Sequence, residues 1–330
     1  MKRLRIAAVI AALILSAPAL EAYLKLGTRI GANFVPLHWA AFPIRYFVTN
    51  RDVPGVTAPQ LQQAVSSALT TWSAVPNVSI SSQFVGFTGA SPLSGDGMTV
   101  IGFQNRPDLD RTLGATSFTI DSVTGEVIES DIFLNGVFSW SVAPGGEAGR
   151  QDVESIALHE LGHLLGLGHS AIGETELFGG GRRVLGAETV MFPIAFAAGT
   201  LNRALRADDV AGLSDIYGND QFRSSTGSIT GRVTKNGTGV LGAHVVAFNP
   251  ETGKLVGGFS LTADGSFTIG GLEPGLHVLR AEPLDDGDVG SFLNPAQPVD
   301  LNFKPAIFDR LVAVPRGGTA ATVEVKVTPK

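Results

Sequence analysis

A chain of 330 residues with 44% hydrophobic side chains, 41 Gly and 18 Pro has apolar material for two ordinary domains and too much of it for global disorder, and no Gly-x-y period suggests collagen. A net charge of −6, from 24 basic and 30 acidic residues with no basic cluster after the N-terminus, offers no footprint for nucleic acid. The absence of cysteine excludes a disulfide framework, thiolate metal ligands and a cysteine nucleophile.

The first residues follow a three-part pattern. Lys2, Arg3 and Arg5 precede an apolar run over 6–15, and the small residues Ser16, Ala17, Pro18 and Ala19 follow. This is the pattern of a secretory signal over 1–22, cleaved after Ala22 or Ala19. The apolar stretch of about 15 residues falls short of the roughly 20 that a spanning helix needs. The expectation is export, extracellular or periplasmic, with no stable membrane span after cleavage.

Residues 43–49 form a short β-type run. Residues 57–73 fit a helix, with Thr57 as cap, Pro59 in the first turn, and Leu61, Val65, Ala68, Leu69 and Trp72 at spacings of three and four. Strands are expected over 77–85, 98–103, 115–120 and 126–134, separated by Gly, Asp and Ser turns. Residues 151–167 are the clearest helix, with Ile156, Leu158, Leu161, Leu164 and Leu165 round so much of its circumference that it must run through the interior. Residues 171–188 contain a Gly triplet and no period, which suggests a loop. A last helix over 206–217 stops at Gly218. Residues 219–227, polar and aperiodic, make a linker. Beyond them, six short β segments with Asn-Gly, Thr-Gly and Asp-Gly turns predict a small all-β sandwich over 228–330.

The chemistry lies in HELGHLLGLGH, residues 159–169. His159 and His163 are four apart on a helix, so both imidazoles leave one face and can share an ion. Gly166 lets the helix stop and the chain turn back, which brings His169 round as a third ligand. Three neutral nitrogens leave a tetrahedral zinc one open position for water. Glu160 is not needed as a ligand; beside that water it can take its proton and pass it to the leaving amine of a cleaved peptide. Three of the six histidines fall within these eleven residues, and no G-x-S-x-G motif competes. His38, His244 and His277 stand alone and suit surface or packing roles.

With its following Ser170, this motif resembles the zinc-binding sequence of the metzincin metalloproteases, and most closely that of the matrixin branch. The resemblance runs from about Pro43 to Gly218 and is most specific over its last 60 residues. It implies an α+β catalytic domain over 23–218, a twisted, mostly parallel sheet with helices, and a zinc endopeptidase acting on protein or peptide substrates. TVMFP (189–193) is similar to the family's Met-turn, with Met191 as its methionine. Residues 205–218 are similar to the C-terminal helix, with Asp208 and Asp209 as the aspartates that tie it to that turn or receive an N-terminal ammonium. LGATSF (113–118) is similar to the strand that pairs with substrate through Ala115, and Pro193 to the pocket-wall proline.

Three departures stand out. Without cysteine, a cysteine-bearing propeptide cannot block the zinc. Thr116 stands where a ligand of a second, structural zinc would be, which implies that this zinc is missing. The 22 positions from His169 to Met191 exceed the matrixin spacing, so 171–188 resembles an insertion beside the pocket for the side chain after the cut. Asp108, Asp110, Asp121 and Glu126 offer oxygen ligands for calcium, against the plainer reading of turn residues and solvated charge. The C-terminal third resembles the transthyretin-like regulatory domain that follows carboxypeptidase catalytic domains, a unit for folding, spacing or contact with a cell surface or matrix. An exported adhesion or matrix-binding protein with vestigial peptidase activity is the alternative, opposed by the intact ligands and Glu160.

Overall fold

The computed structural model describes residues 10–11, 24–30, 33–178, 181–293 and 298–330. The expected export signal therefore lies outside the described residues, apart from Ile10–Ala11. No helix among the described residues is long and apolar enough to cross a membrane.

The N-terminal half is built on one sheet. Strands β1 (Ile44–Thr49), β2 (Ser82–Thr88), β3 (Thr99–Gln104) and β5 (Val127–Asn135) run parallel in the order β2-β1-β3-β5, and β4 (Gly114–Ile120) closes the row antiparallel to β5. Ile10–Ala11 adds antiparallel to the outer edge of β4, opposite Phe118 and Ser117. The mostly parallel sheet expected from the resemblance is thus present, with its antiparallel strand at one side. β5 is buried along almost its whole length: it is flanked by β3 and β4, the helix Val153–Leu164 packs on it, and backbone N–H groups of 93–100 bond to its Glu129 and Asp131 carboxylates. β2 begins later than the sequence suggests, because Asn77 takes φ 64 and turns the chain first.

Helix α1 (Ala58–Ser73) starts where a capping box holds it: Thr57 Oγ1 accepts from Gln60 N, and Gln60 Oε1 accepts from Thr57 N at 2.9 Å. Its buried stripe of Leu61, Val65, Ala68, Leu69 and Trp72 packs with α2 (Val153–Leu164) and with Tyr46, Val48, Ile101, Ile132 and Leu134 of the sheet in a single core. Each large side chain buried there stabilises the fold by about 1.5–3 kcal/mol. Trp72 also donates from Nε1 to the Leu158 carbonyl at 2.9 Å, which ties α1 to α2 one residue before His159.

Residues 171–188 are not an irregular loop. They form a hairpin of β6 (Gly173–Phe178) and β7 (Gly181–Ala187), in register from Gly173↔Ala187 to Phe178↔Gly181. The ladder rests on backbone hydrogen bonds and on pairs such as Arg183 with Glu176. Exposed on much of both faces, it needs no apolar alternation, so it lacks the signal that marks a half-buried strand. The linker expected over 219–227 is likewise ordered. After α3 (Ala207–Tyr217), Asn219 caps a short helix α4 (Asp220–Ser225), which is less than two turns long and too short to carry a period.

The C-terminal third is a two-sheet sandwich. One sheet sets β8 (Gly227–Lys235) between β11 (Ser266–Leu272) and β14 (Val323–Val327); the other orders β10 (Leu255–Phe259), β9 (His244–Phe248) and β12 (Gly275–Glu282), with β13 (Val312–Val314) also on β12. Ile229, Val233, Phe267 and Val325 face Val245, Ala247 and Leu279 in its core. Strict alternation in β14, buried valines against exposed Glu324 and Lys326, is the period-2 pattern of a strand with one wet face.

Candidate metal centre and active site

Helix α2 is anchored at its start. Asp152 caps it, accepting at Oδ2 from Ser155 N (2.9 Å) and Oγ (2.6 Å), and its carboxylate pairs with Arg203. The helix ends after Leu164. Gly166 then takes φ +97, and a Cβ there would run into the Leu37 carbonyl, so the reversal that returns His169 requires glycine. On the outer side of this turn, residues 24–26 run alongside, with Leu26 N donating to Gly166 O (2.8 Å) and Gly168 N to Leu24 O (2.7 Å).

The three imidazoles then meet. His163 Nε2 and His169 Nε2 are 3.1 Å apart, and the ligand atoms of His159, His163 and His169 all lie within 4.8 Å of one another. Each ring uses Nδ1 on a backbone carbonyl: His159 on Val190 (2.8 Å), His163 on Leu167 (2.8 Å) and His169 on Ser291 (2.6 Å). A carbonyl only accepts, so each Nδ1 carries the proton and each Nε2 presents a lone pair. Burial lowers the pKa of all three, His169 to about 3, so the rings are neutral and no proton has to be displaced by an ion. This donor set fits one zinc with an open fourth position.

Among the described residues this is the only group of three or more His, Cys, Asp or Glu whose ligand atoms converge. Of the acids considered for calcium, Asp108 is paired with Arg106 (2.6 Å), and Asp121 Oδ1 closes a turn by accepting from Val123 N (2.8 Å) and Thr124 N (3.1 Å).

Glu160 is buried at 5% exposure, and burial pushes its pKa up to about 7. Its side chain lies against β4. Thr116 Oγ1 donates to Glu160 Oε2 at 2.7 Å, the one interaction that favours the ionised form, and a Cβ on Gly114 would stand 2.9 Å from Oε1. Thr116, notable in the sequence only for the histidine it replaces, is therefore a partner of the acid.

Residues 189–193, which resemble the Met-turn, pack against the helix that carries His159 and His163. Met191, 2% exposed, sets its Sδ against Gly162, where any Cβ would collide with it. Asp209 holds the turn from α3: it accepts from Thr189 Oγ1 (2.5 Å), Val190 N (2.9 Å) and Met191 N (3.2 Å), and from Arg206 N (2.8 Å) at its own helix end. Asp208 takes a different direction. It is bonded to the Ser170 side chain and accepts from Gly257 N of the sandwich at 2.8 Å. Ala115 sits on β4 opposite Phe133, and Pro193 is half-buried near Gly287. Of the isolated histidines, His244 and His277 are buried and His38 half-buried; His244 Nδ1 pairs with Glu282 Oε1 at 3.0 Å.

The sandwich residues Ser291, Gly257 and Asp286 carry no signal in the sequence. They reach the site across 122, 49 and 111 positions, Ser291 and Gly257 through main-chain atoms and Asp286 through its carboxylate, and no local motif marks them.

Residues 38–218 match the family model described as Matrixin. The chain is 27% identical over 205 residues to Metalloendoproteinase 5-MMP of Arabidopsis thaliana, covering 56% of this chain and 49% of that protein. It is 38% identical over 76 residues to Metalloendoproteinase 2-MMP (23% and 16% covered) and 33% identical over 111 residues to Metalloendoproteinase 1-MMP (32% and 26% covered), both from the same plant. The chain thus spans about half the length of the first of these relatives and less of the others. A solved structure titled "The Bacillus anthracis TIE protein" aligns at 17% identity with a TM-score of 0.22, over 32% of this chain and 17% of that one.

Proposed function

We propose, for a chain that belongs to the matrixin family, that it is a secreted zinc-dependent endopeptidase with His159, His163 and His169 as ligands and Glu160 as general base and acid. The observation that carries the reading is the convergence of three Nδ1-anchored neutral imidazoles with a buried carboxyl one residue along the same helix. A zinc ion held there supplies Lewis acidity, acidifying a water molecule and polarising the scissile carbonyl.

The chain's own residues do the rest. An extended substrate adds its backbone to the free part of the β4 edge near Ala115, which orients the scissile bond. Glu160, ionised, takes a proton from the attacking water. Burial favours its uptake of that proton, which it then delivers to the departing amine. Thr116 keeps the receiving oxygen in place. Met191 and Asp209 support the ring of His159 through Val190, and Pro193 lines the pocket for the side chain after the cut. Export rests on the basic, apolar and small-residue pattern of 1–22.

The decisive comparison is a peptide-library digest of the wild-type protein, with and without a zinc chelator, beside Glu160→Ala. The expected result is chelator-sensitive cleavage by wild type, and none by a variant that still binds one zinc. Cleavage by Glu160→Ala at a comparable rate would refute the mechanism.

A further inference from the structure

The third histidine differs from the other two in where its support comes from. Val190 and Leu167 belong to the catalytic half, but the carbonyl that accepts from His169 Nδ1 at 2.6 Å is that of Ser291, in a loop of the C-terminal sandwich. That loop is built in at several points. Asp286 Oδ1 accepts from Thr175 N of the β6–β7 hairpin at 2.7 Å, and the Asp286 carbonyl accepts from Thr175 Oγ1 at 3.0 Å. Ser291 N donates to Asp288 O at 2.8 Å, and Phe292, 1% exposed, anchors the loop's far end in a cluster with Leu284, Leu293, Phe259 and Ala171, two residues beyond His169. Gly287 lies beside Pro193, whose Cγ would be 3.8 Å from a Cβ at that position.

A second contact secures the same stretch of chain from the other side. Asp208, which holds the Ser170 side chain, accepts from Gly257 N of β10, and Gly257 approaches so closely that a Cβ would stand 3.1 Å from Ile172. Residues 169–172 are therefore gripped between the sandwich and α3.

We propose that the C-terminal sandwich is a working part of the metal centre. Ser291 is a positioning residue that fixes the tautomer and ring plane of His169 through its main-chain carbonyl, and the 284–293 loop that carries it is braced by Thr175 of the hairpin and lies beside Pro193. Outer partners of a ligating histidine set its orientation and basicity, and losing one costs about 10–100-fold in metal affinity. The inference rests on the metal-centre reading above, and its test separates the two.

The full-length protein is stripped of metal and titrated with zinc against a chromophoric chelator, as wild type and as Asp286→Ala, Phe292→Ala, Phe292→Leu and Ser291→Ala, each first shown to be folded by circular dichroism and a thermal transition. Asp286→Ala and the Phe292 variants let the loop drift and should bind zinc about 10–100-fold more weakly. The slowly exchanging Nδ1 proton of His169 should disappear from their NMR spectra while those of His159 and His163 persist. Ser291→Ala keeps the carbonyl and should stay within about twofold of wild type; should Phe292→Ala fail to fold, Phe292→Leu and Asp286→Ala carry the comparison. A wild-type protein that binds no zinc would refute the metal-centre reading itself. Wild-type binding with folded loop variants of equal affinity and an intact His169 Nδ1 proton would overturn the inference.

Discussion

Asp209 ties helix α3 to the 189–191 turn and, through Val190, to the ring of His159, and Asp209→Ala measures that tie. The carboxylate is 2% exposed and receives the Thr189 hydroxyl and three main-chain N–H groups. Not all are orphaned when it goes. Met191 N keeps Thr189 Oγ1 at 3.1 Å, the hydroxyl can rotate, and Arg206 N lies at an exposed residue where water can replace the acceptor. Val190 N, at a residue 3% exposed, has no substitute. At about 1–3 kcal/mol for each buried donor left unsatisfied, with weaker residual bonds for the others, the loss comes to about 2–4 kcal/mol, after allowance for no longer burying a carboxylate whose pKa is itself raised by burial. That is a large part of the roughly 5–15 kcal/mol that holds a domain together. Because the Val190 carbonyl also accepts from His159 Nδ1, zinc affinity should fall with stability. Urea unfolding of the metal-free protein reads the first effect and chelator competition the second. A loss under about 1 kcal/mol with unchanged zinc affinity would show that the turn holds itself without the aspartate.

Three further outcomes follow from the same geometry. Unfolded, Glu160 titrates near 4.5; folded, near 7, so between these values the native state binds the extra proton and burial of Glu160 costs increasing stability as pH rises. Glu160→Gln in the metal-free protein should match wild type at pH 4 and be more stable by up to about 3 kcal/mol at pH 8; thermal melts across that range check it, and equal stability at both ends would refute it. Thr116→Val removes a hydrogen bond worth about 1.5–3 kcal/mol to the ionised acid, so the acidic limb of the pH–rate profile should move upward and cleavage on that limb should fall about tenfold or more, with partial recovery at higher pH. Excising 173–186, the β6–β7 hairpin, should change the residues preferred after the cut in a peptide-library digest while leaving zinc stoichiometry at one; an unchanged preference would remove the hairpin from the pocket.

The elements that carry a period or a cap are legible in the residues themselves. Leu61, Val65 and Trp72 mark the buried stripe of α1 and Thr57 its start, the eleven-residue motif places three histidines and an acid on one helix and turn, and the alternating valines of β14 announce the sandwich. What is illegible there has a common physical cause. The β6–β7 hairpin and α4 are held by backbone ladders, exposed ion pairs and a cap, none of which needs a repeating apolar face. Thr116 touches Glu160 only because β4 lies beside α2, a fact of sheet order and not of spacing. Asp208 and Asp209 look like one tether in the sequence, yet adjacent helix positions point about 100° apart, so one reaches the Met-turn and the other the sandwich.

The position of the burial penalty explains why this site tolerates an arrangement that stability alone would not select. Glu160 sits where ionisation is unfavourable, with Thr116 as its polar side-chain partner among the described residues, and the absence of a side chain at Gly114 leaves room beside Oε1. A better solvated carboxylate would cost less and be a weaker base. The three histidines carry the opposite linkage: buried neutral, with pKa values below the ordinary 6.5, they favour the folded state as pH rises toward neutrality, where Glu160 disfavours it. The two trends oppose one another as the pH approaches neutrality. Because the carbonyls that hold the rings come from the turn after α2, the Met-turn and the sandwich loop, the ligand geometry is complete only when all three have docked. Zinc bound to that state and not to the unfolded chain stabilises it by about 2.7 kcal/mol at a free concentration one hundred times its dissociation constant. Metal binding and the docking of the C-terminal sandwich are then linked: whatever strengthens one strengthens the other.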